Sequence, residues 1–71
     1  MLKHSSLREL RKSKGMKIAE LAKKLGLDES TVSNYEHGRR KPKLETIVNL
    51  ADIFDISVSQ AVSIFLSKKT S

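Results

Sequence analysis

Residues Ile18 to Gly38, IAELAKKLGLDESTVSNYEHG, decide how the chain folds. Ile18, Leu21, Ala22 and Leu25 recur at i, i+3, i+4 and i+7, the spacing of one apolar stripe on a helix. Gly26 is expected to end that helix, because glycine takes the left-handed conformation that closes a last turn without the cost a β-carbon brings. Leu27 follows as an apolar plug, and Asp28 is a suitable N-cap for a second helix. That helix, over about Glu29 to His37, turns Val32 and Tyr35 inward and stops at Gly38. Helices joined by so short a turn cross steeply, so a small residue is expected where they approach most closely, and Ala22 supplies it.

Working outward, Ser6-Leu7-Arg8-Glu9 has the form of a capping box. It opens a helix with Leu7 and Leu10 on its inner edge, Arg8, Lys12 and Lys14 on its open side, and Gly15 at its end. Downstream, Leu44 to Phe54 reads as a helix with Leu44, Ile47, Val48, Ala51 and Phe54 inward. Asp55 then stands where a left-handed residue is needed, which it tolerates less well than glycine. Ser57 and Gln60 form a second capping box, opening a last helix with Val58, Ala61, Val62, Phe65 and Leu66 inward. At about 100° per residue, Ile64 points roughly 130° away from that stripe and is expected to be exposed. The chain thus reads as all-α, a compact bundle of five helices.

At 71 residues it is expected to be a single domain over 1–71, with a core at about 6–66, and a flexible arm (1–5) and tail (67–71). Cysteine is absent, which excludes disulfides and thiolate metal sites, and two separated histidines, His4 and His37, do not make a metal site. No run approaches the ~20 apolar residues of a membrane span, and the first ten residues lack a secretion signal, so a soluble, cytoplasmic protein without a membrane partner is expected. The net charge of +6 is unevenly placed. Residues 1–43 hold twelve of the fourteen Lys and Arg against five acids, while residues 44–71 hold two against three. Basicity alone fits a polyanion-binding face and a merely solubilising surface equally.

Ala22, Gly26 and Val32, the closing Tyr35-Glu36-His37-Gly38 and the segment PKLETIVNLADIF together resemble the Cro and phage-repressor helix-turn-helix family. The likeness runs from about Leu7 to Val62. It implies the five-helix fold of the phage-repressor DNA-binding domain, with the second and third helices forming the helix-turn-helix and the third in the major groove. Base readers would then be Glu29, Ser30, Ser33 and Asn34. Asn34 suits adenine, the serines donate or accept, and Glu29 either accepts from cytosine or only stabilises its helix dipole. Phosphate contacts would come from Lys17 and Ile18 and from Arg39, Arg40 and Lys41 in the loop HGRRKPK, with His37 either capping the third helix or touching a phosphate. Relatives carry a Ser or Thr cap and a glutamine where this chain has Lys17 and Ile18; isoleucine lacks the glutamine's hydrogen bonds. Lysine at that N-cap costs on the order of 1 kcal/mol in the free protein and favours a docked phosphate. The likeness also implies an Arg11–Glu36 ion pair, and pairing of two copies through Ile64, Phe65 and their neighbours.

The implied function is sequence-specific regulation of transcription, most simply by a homodimeric repressor occupying a palindromic operator in double-stranded DNA. It would be bacterial or phage-encoded and nucleoid-associated, and any regulation would need a protein partner or its own concentration. An alternative is an antitoxin or other protein-interaction module in which DNA binding is secondary. An enzyme is not expected, since no nucleophile, base and orienting acid fall together, and neither is a cofactor.

Overall fold

The first four helices each end where the chain turns left-handed, at Gly15, Gly26, Gly38 and Asp55. The computed structural model describes residues 6–66, and the expected flexible arm and tail lie outside them. The helices are α1 (Leu7–Ser13), α2 (Ile18–Leu25), α3 (Glu29–Glu36), α4 (Leu44–Phe54) and α5 (Val58–Leu66), with no strand among the described residues. Helix α1 is capped by Ser6 Oγ, which accepts from the Glu9 amide at 3.1 Å. At α5 the box is reciprocal: Ser57 Oγ accepts from the Gln60 amide at 3.0 Å, and Gln60 Oε1 from the Ser57 amide at 3.1 Å. The three helices between them are different. Lys17, Asp28 and Lys43 occupy their N-cap positions, and none makes a side-chain capping bond. Asp28 therefore departs from expectation: its carbonyl accepts from the Thr31 and Val32 amides while its carboxylate faces solvent, leaving only its charge to act on the dipole.

Four helix ends share one closure. In α2 the Leu27 amide reaches back to the Ala22 carbonyl (2.9 Å) and Gly26 to Lys23 (3.2 Å), the paired bonds of a Schellman turn. The same pairs recur as Met16 to Arg11 with Gly15 to Lys12, Arg39 to Asn34 with Gly38 to Tyr35, and Ile56 to Ala51 with Asp55 to Asp52. At the last of these the left-handed residue is Asp55, at φ 57°, the sole non-glycine with positive φ among the described residues.

Leu7 and Leu10 of α1, Leu21 and Ala22 of α2, Val32 and Tyr35 of α3, and Leu50 and Phe54 of α4 form one buried cluster. Ile47 and Ala51 of α4 meet Ala61 of α5 in a second. The stripes on α4 and α5 are rotated from those read off the sequence. Leu44 and Val48, expected inward, are 66 % and 43 % exposed, while Leu50, not expected in the core, is 2 % exposed. Val58 and Leu66 are likewise exposed, at 40 % and 61 %. Ile64, expected outside, is half-buried with Phe65 against the main cluster, because α5 covers a cleft edged by Leu7 and Tyr35 as well as packing on α4. No single described helix is long and apolar enough to cross a membrane; α4 and α5 reach that length only together and bend by 119° at their junction.

An ion pair bridges α1 and α3 beside this core. Arg11 Nε donates to Glu36 Oε2 at 2.6 Å and Nη2 to Oε1 at 3.2 Å, a two-pronged grip of α1 on the last turn of α3. The third prong, Nη1, donates to the Met16 carbonyl at 2.8 Å, inside the α1 closure. With side chains only 10 % and 3 % exposed, neither charge has much water to fall back on. Removing one partner strands the other, whereas replacing both with apolar groups does not. Glu36→Ala should therefore cost about 3 kcal/mol in urea unfolding, and Arg11→Met with Glu36→Leu should recover most of that loss. Asp55→Gly should raise stability by about 0.5 kcal/mol by relieving the left-handed strain and removing an anion from a helix C-terminus, while Gly26→Ala should lower it by about 1 kcal/mol, both read by thermal melts.

Candidate nucleic-acid interface

Helix α3 turns Val32 and Tyr35 into the core, which fixes what its other side presents. At about 100° per residue, Glu29, Ser30, Ser33, Asn34 and His37 fall within an arc of about 140° opposite them. Glu29, Ser30 and His37 are exposed, and Ser33 and Asn34 are half-buried. The four residues expected to read bases thus share one open face. The first turn of that face carries backbone amides with no side-chain cap, since Asp28 does not turn back on them.

His37 sits at the C-cap of α3, so the helix ends one residue earlier than expected. Its Nδ1 lies 2.8 Å from the Ser33 carbonyl and 3.3 Å from Ser33 Oγ. A carbonyl only accepts, so Nδ1 carries the proton. This contact ties the His37 ring to the last turn of α3, the capping role being one of the two the sequence left open.

Beyond Gly38 the chain runs through Arg39, Arg40 and Lys41, all exposed, to Pro42, which is buried and pins the loop to the body. Arg39 turns back on α3: Nη1 donates to Asn34 Oδ1 at 3.4 Å, beside the Arg39 amide bond to the Asn34 carbonyl at 3.0 Å. Arg40 borders both clefts that flank Tyr35. Lys17, at the start of α2, is exposed, while Ile18 is half-buried and has a side chain without hydrogen-bonding groups. Lys43, which sequence reasoning counted in the loop but not among the contacts, occupies the uncapped start of α4 beside Thr46 and Asn49. Its signal was the Pro-Lys-Leu-Glu junction, a cation one residue before a helix. Ile64 and Phe65, expected to pair two copies, are half-buried and pack in part against the main core.

A family model described as helix-turn-helix matches residues 7–60. The chain is similar to the HTH-type transcriptional regulator AnsR of Bacillus subtilis, with 39% identity over 64 residues, 90% of this chain and 55% of that protein. It is also similar to the cryptic phage CTXphi transcriptional repressor RstR of Vibrio cholerae, with 34% identity over 59 residues, 83% of this chain and 53% of the repressor. The chain thus spans about half the length of these curated relatives. No solved structure matches it at a significant level. The match over most of the chain, the packed α2–α3 pair joined by the turn closed at Gly26 and the open polar face of α3 lead to one conclusion: the chain belongs to the helix-turn-helix family, of the Cro and phage-repressor type.

Proposed function

We propose that residues 6–66 act as one DNA-binding unit of a sequence-specific transcriptional regulator, a cytoplasmic repressor that binds a palindromic operator as a homodimer. The observation that carries this reading is the open arc of Glu29, Ser30, Ser33 and Asn34 on α3, with the Arg39–Lys41 cations at its end. Such a helix enters the major groove with its first turns at base edges, and cations beside it neutralise phosphates. The repressor similar in sequence adds weight to repression over activation. Discrimination would rest on Ser30 and Asn34, with Glu29 either accepting from cytosine or supporting the helix dipole. Affinity would rest on Arg40, Lys41 and Lys17, the last beside the uncapped amides of α2.

Pairing of two copies is assigned to the exposed apolar edge of α5, Val58 and Leu66, with Val62 one turn from each, rather than to the half-buried Ile64 and Phe65. In sedimentation experiments Leu66→Glu should shift a dimer towards monomer without lowering helicity. A chain that is monomeric at every concentration would instead favour the reading in which a different protein covers this edge.

Selection of bound duplexes from a random pool should return a palindrome with half-sites about one helical turn apart. Recovery of no preferred sequence would overturn the proposal. Arg40→Ala should leave that sequence unchanged and lower the log–log salt slope of binding by about one per site contacted. Lys17→Ser should stabilise the free protein by about 1 kcal/mol yet weaken binding; unchanged binding would remove Lys17 from the contact set.

A further inference from the structure

A Schellman closure returns the second residue past the helix to the side of the residue three before its end, and the two side chains normally make an apolar contact. Two of the closures here fit that rule, pairing Leu27 with Ala22 and Ile56 with Ala51. At the end of α3 the same positions hold Arg39 and Asn34, and the contact is polar. The main-chain bond at 3.0 Å brings the Arg39 backbone to the exposed arc of α3, and its guanidinium reaches the Asn34 side chain at 3.4 Å.

The chemistry of that contact has one orientation. A guanidinium has donors only, so the amide atom facing it must be the oxygen, and the Asn34 NH2 must point away from Arg39. Oδ1 keeps a second lone pair. The contact thereby biases the amide before DNA arrives, leaving two donors and one acceptor free, the complement of an adenine edge. The geometry points to Arg39 as a positioning residue for base reading: it favours one flip of the Asn34 amide, Oδ1 towards Arg39 and NH2 away from it, rather than acting solely as a phosphate clamp. This rests on the reading of α3 as the base-contacting helix.

The test combines selection from a random duplex pool with titrations of the selected site and its single-base variants. Asn34→Ala identifies the half-site position that Asn34 reads, by flattening the preference there. Arg39→Ala should flatten the same position, reducing discrimination by about tenfold, besides weakening binding overall. Arg39→Lys should keep the wild-type salt slope but not the discrimination, because an ammonium lacks the rigid fork of donors. Arg40→Ala is the control, with a shallower slope and an unchanged preference. In the free protein, Arg39→Ala should also move the side-chain NH2 resonances of Asn34 in NMR spectra.

Uniform weakening by Arg39→Ala, with the wild-type preference retained at the Asn34 position, would overturn the inference while leaving the regulator reading intact. So would loss of preference at a different position, since Arg39 would then contact a base by itself. A wild-type protein that selects no sequence would overturn both.

Discussion

The Arg11–Glu36 pair is the constraint around which α1, α3 and the exposed arc of α3 are arranged. Beside it, α1 and α3 share the apolar cluster of Leu7, Leu10, Val32 and Tyr35, and apolar contacts permit small rotations. The fork of Arg11 permits few. It engages both carboxylate oxygens of Glu36 and the Met16 carbonyl, so it ties the last turn of α3 to the closure of α1 in a single planar unit. Because Glu36 sits next to the exposed arc on the helical wheel, fixing its carboxylate fixes the azimuth of Ser33 and Asn34. A mostly buried ion pair contributes little net stability against a well-packed apolar alternative. Its directionality is what the base-reading role proposed for α3 requires.

Most of the architecture was legible because it is encoded locally. Gly26 and the stripe of Ile18, Leu21, Ala22 and Leu25 marked α2 and its end, and the Ser6 and Ser57 boxes marked the starts of α1 and α5. Asp55 occupies the left-handed position its place after Phe54 implied. The rotation of α4 and α5 was not legible in the same way. Periodicity gives an apolar stripe but not its centre: on α4, Leu44 and Val48 share an edge with Ala51, and only the neighbours of α4 decide that Leu50 and Phe54 face in while Leu44 and Val48 remain outside. Ile64 was misjudged for the same reason, since its burial depends on Leu7 and Tyr35, far away in sequence.

The candidate interface was legible in membership more than in arrangement. Helical spacing and the family likeness together placed Glu29, Ser30, Ser33 and Asn34 on one face. Nothing in the spacing indicated that Asp28 would leave its helix uncapped, that His37 would spend its Nδ1 proton on the Ser33 carbonyl, or that Arg39 would fold back on Asn34. Each of these is a choice among side-chain partners within a few ångströms. Residue type restricts such choices and the local backbone path settles them.

The repeated closure at four helix ends has a kinetic meaning. Each reversal is stitched by bonds between residues three and five apart, so the chain turns back without first bringing distant segments together. Loop-closure entropy, the main barrier to ordering non-local contacts, is therefore small, and folding should fall in the range of helical proteins, on the order of microseconds to milliseconds. The long-range Arg11–Glu36 bond can then form last, between helices whose ends are already set.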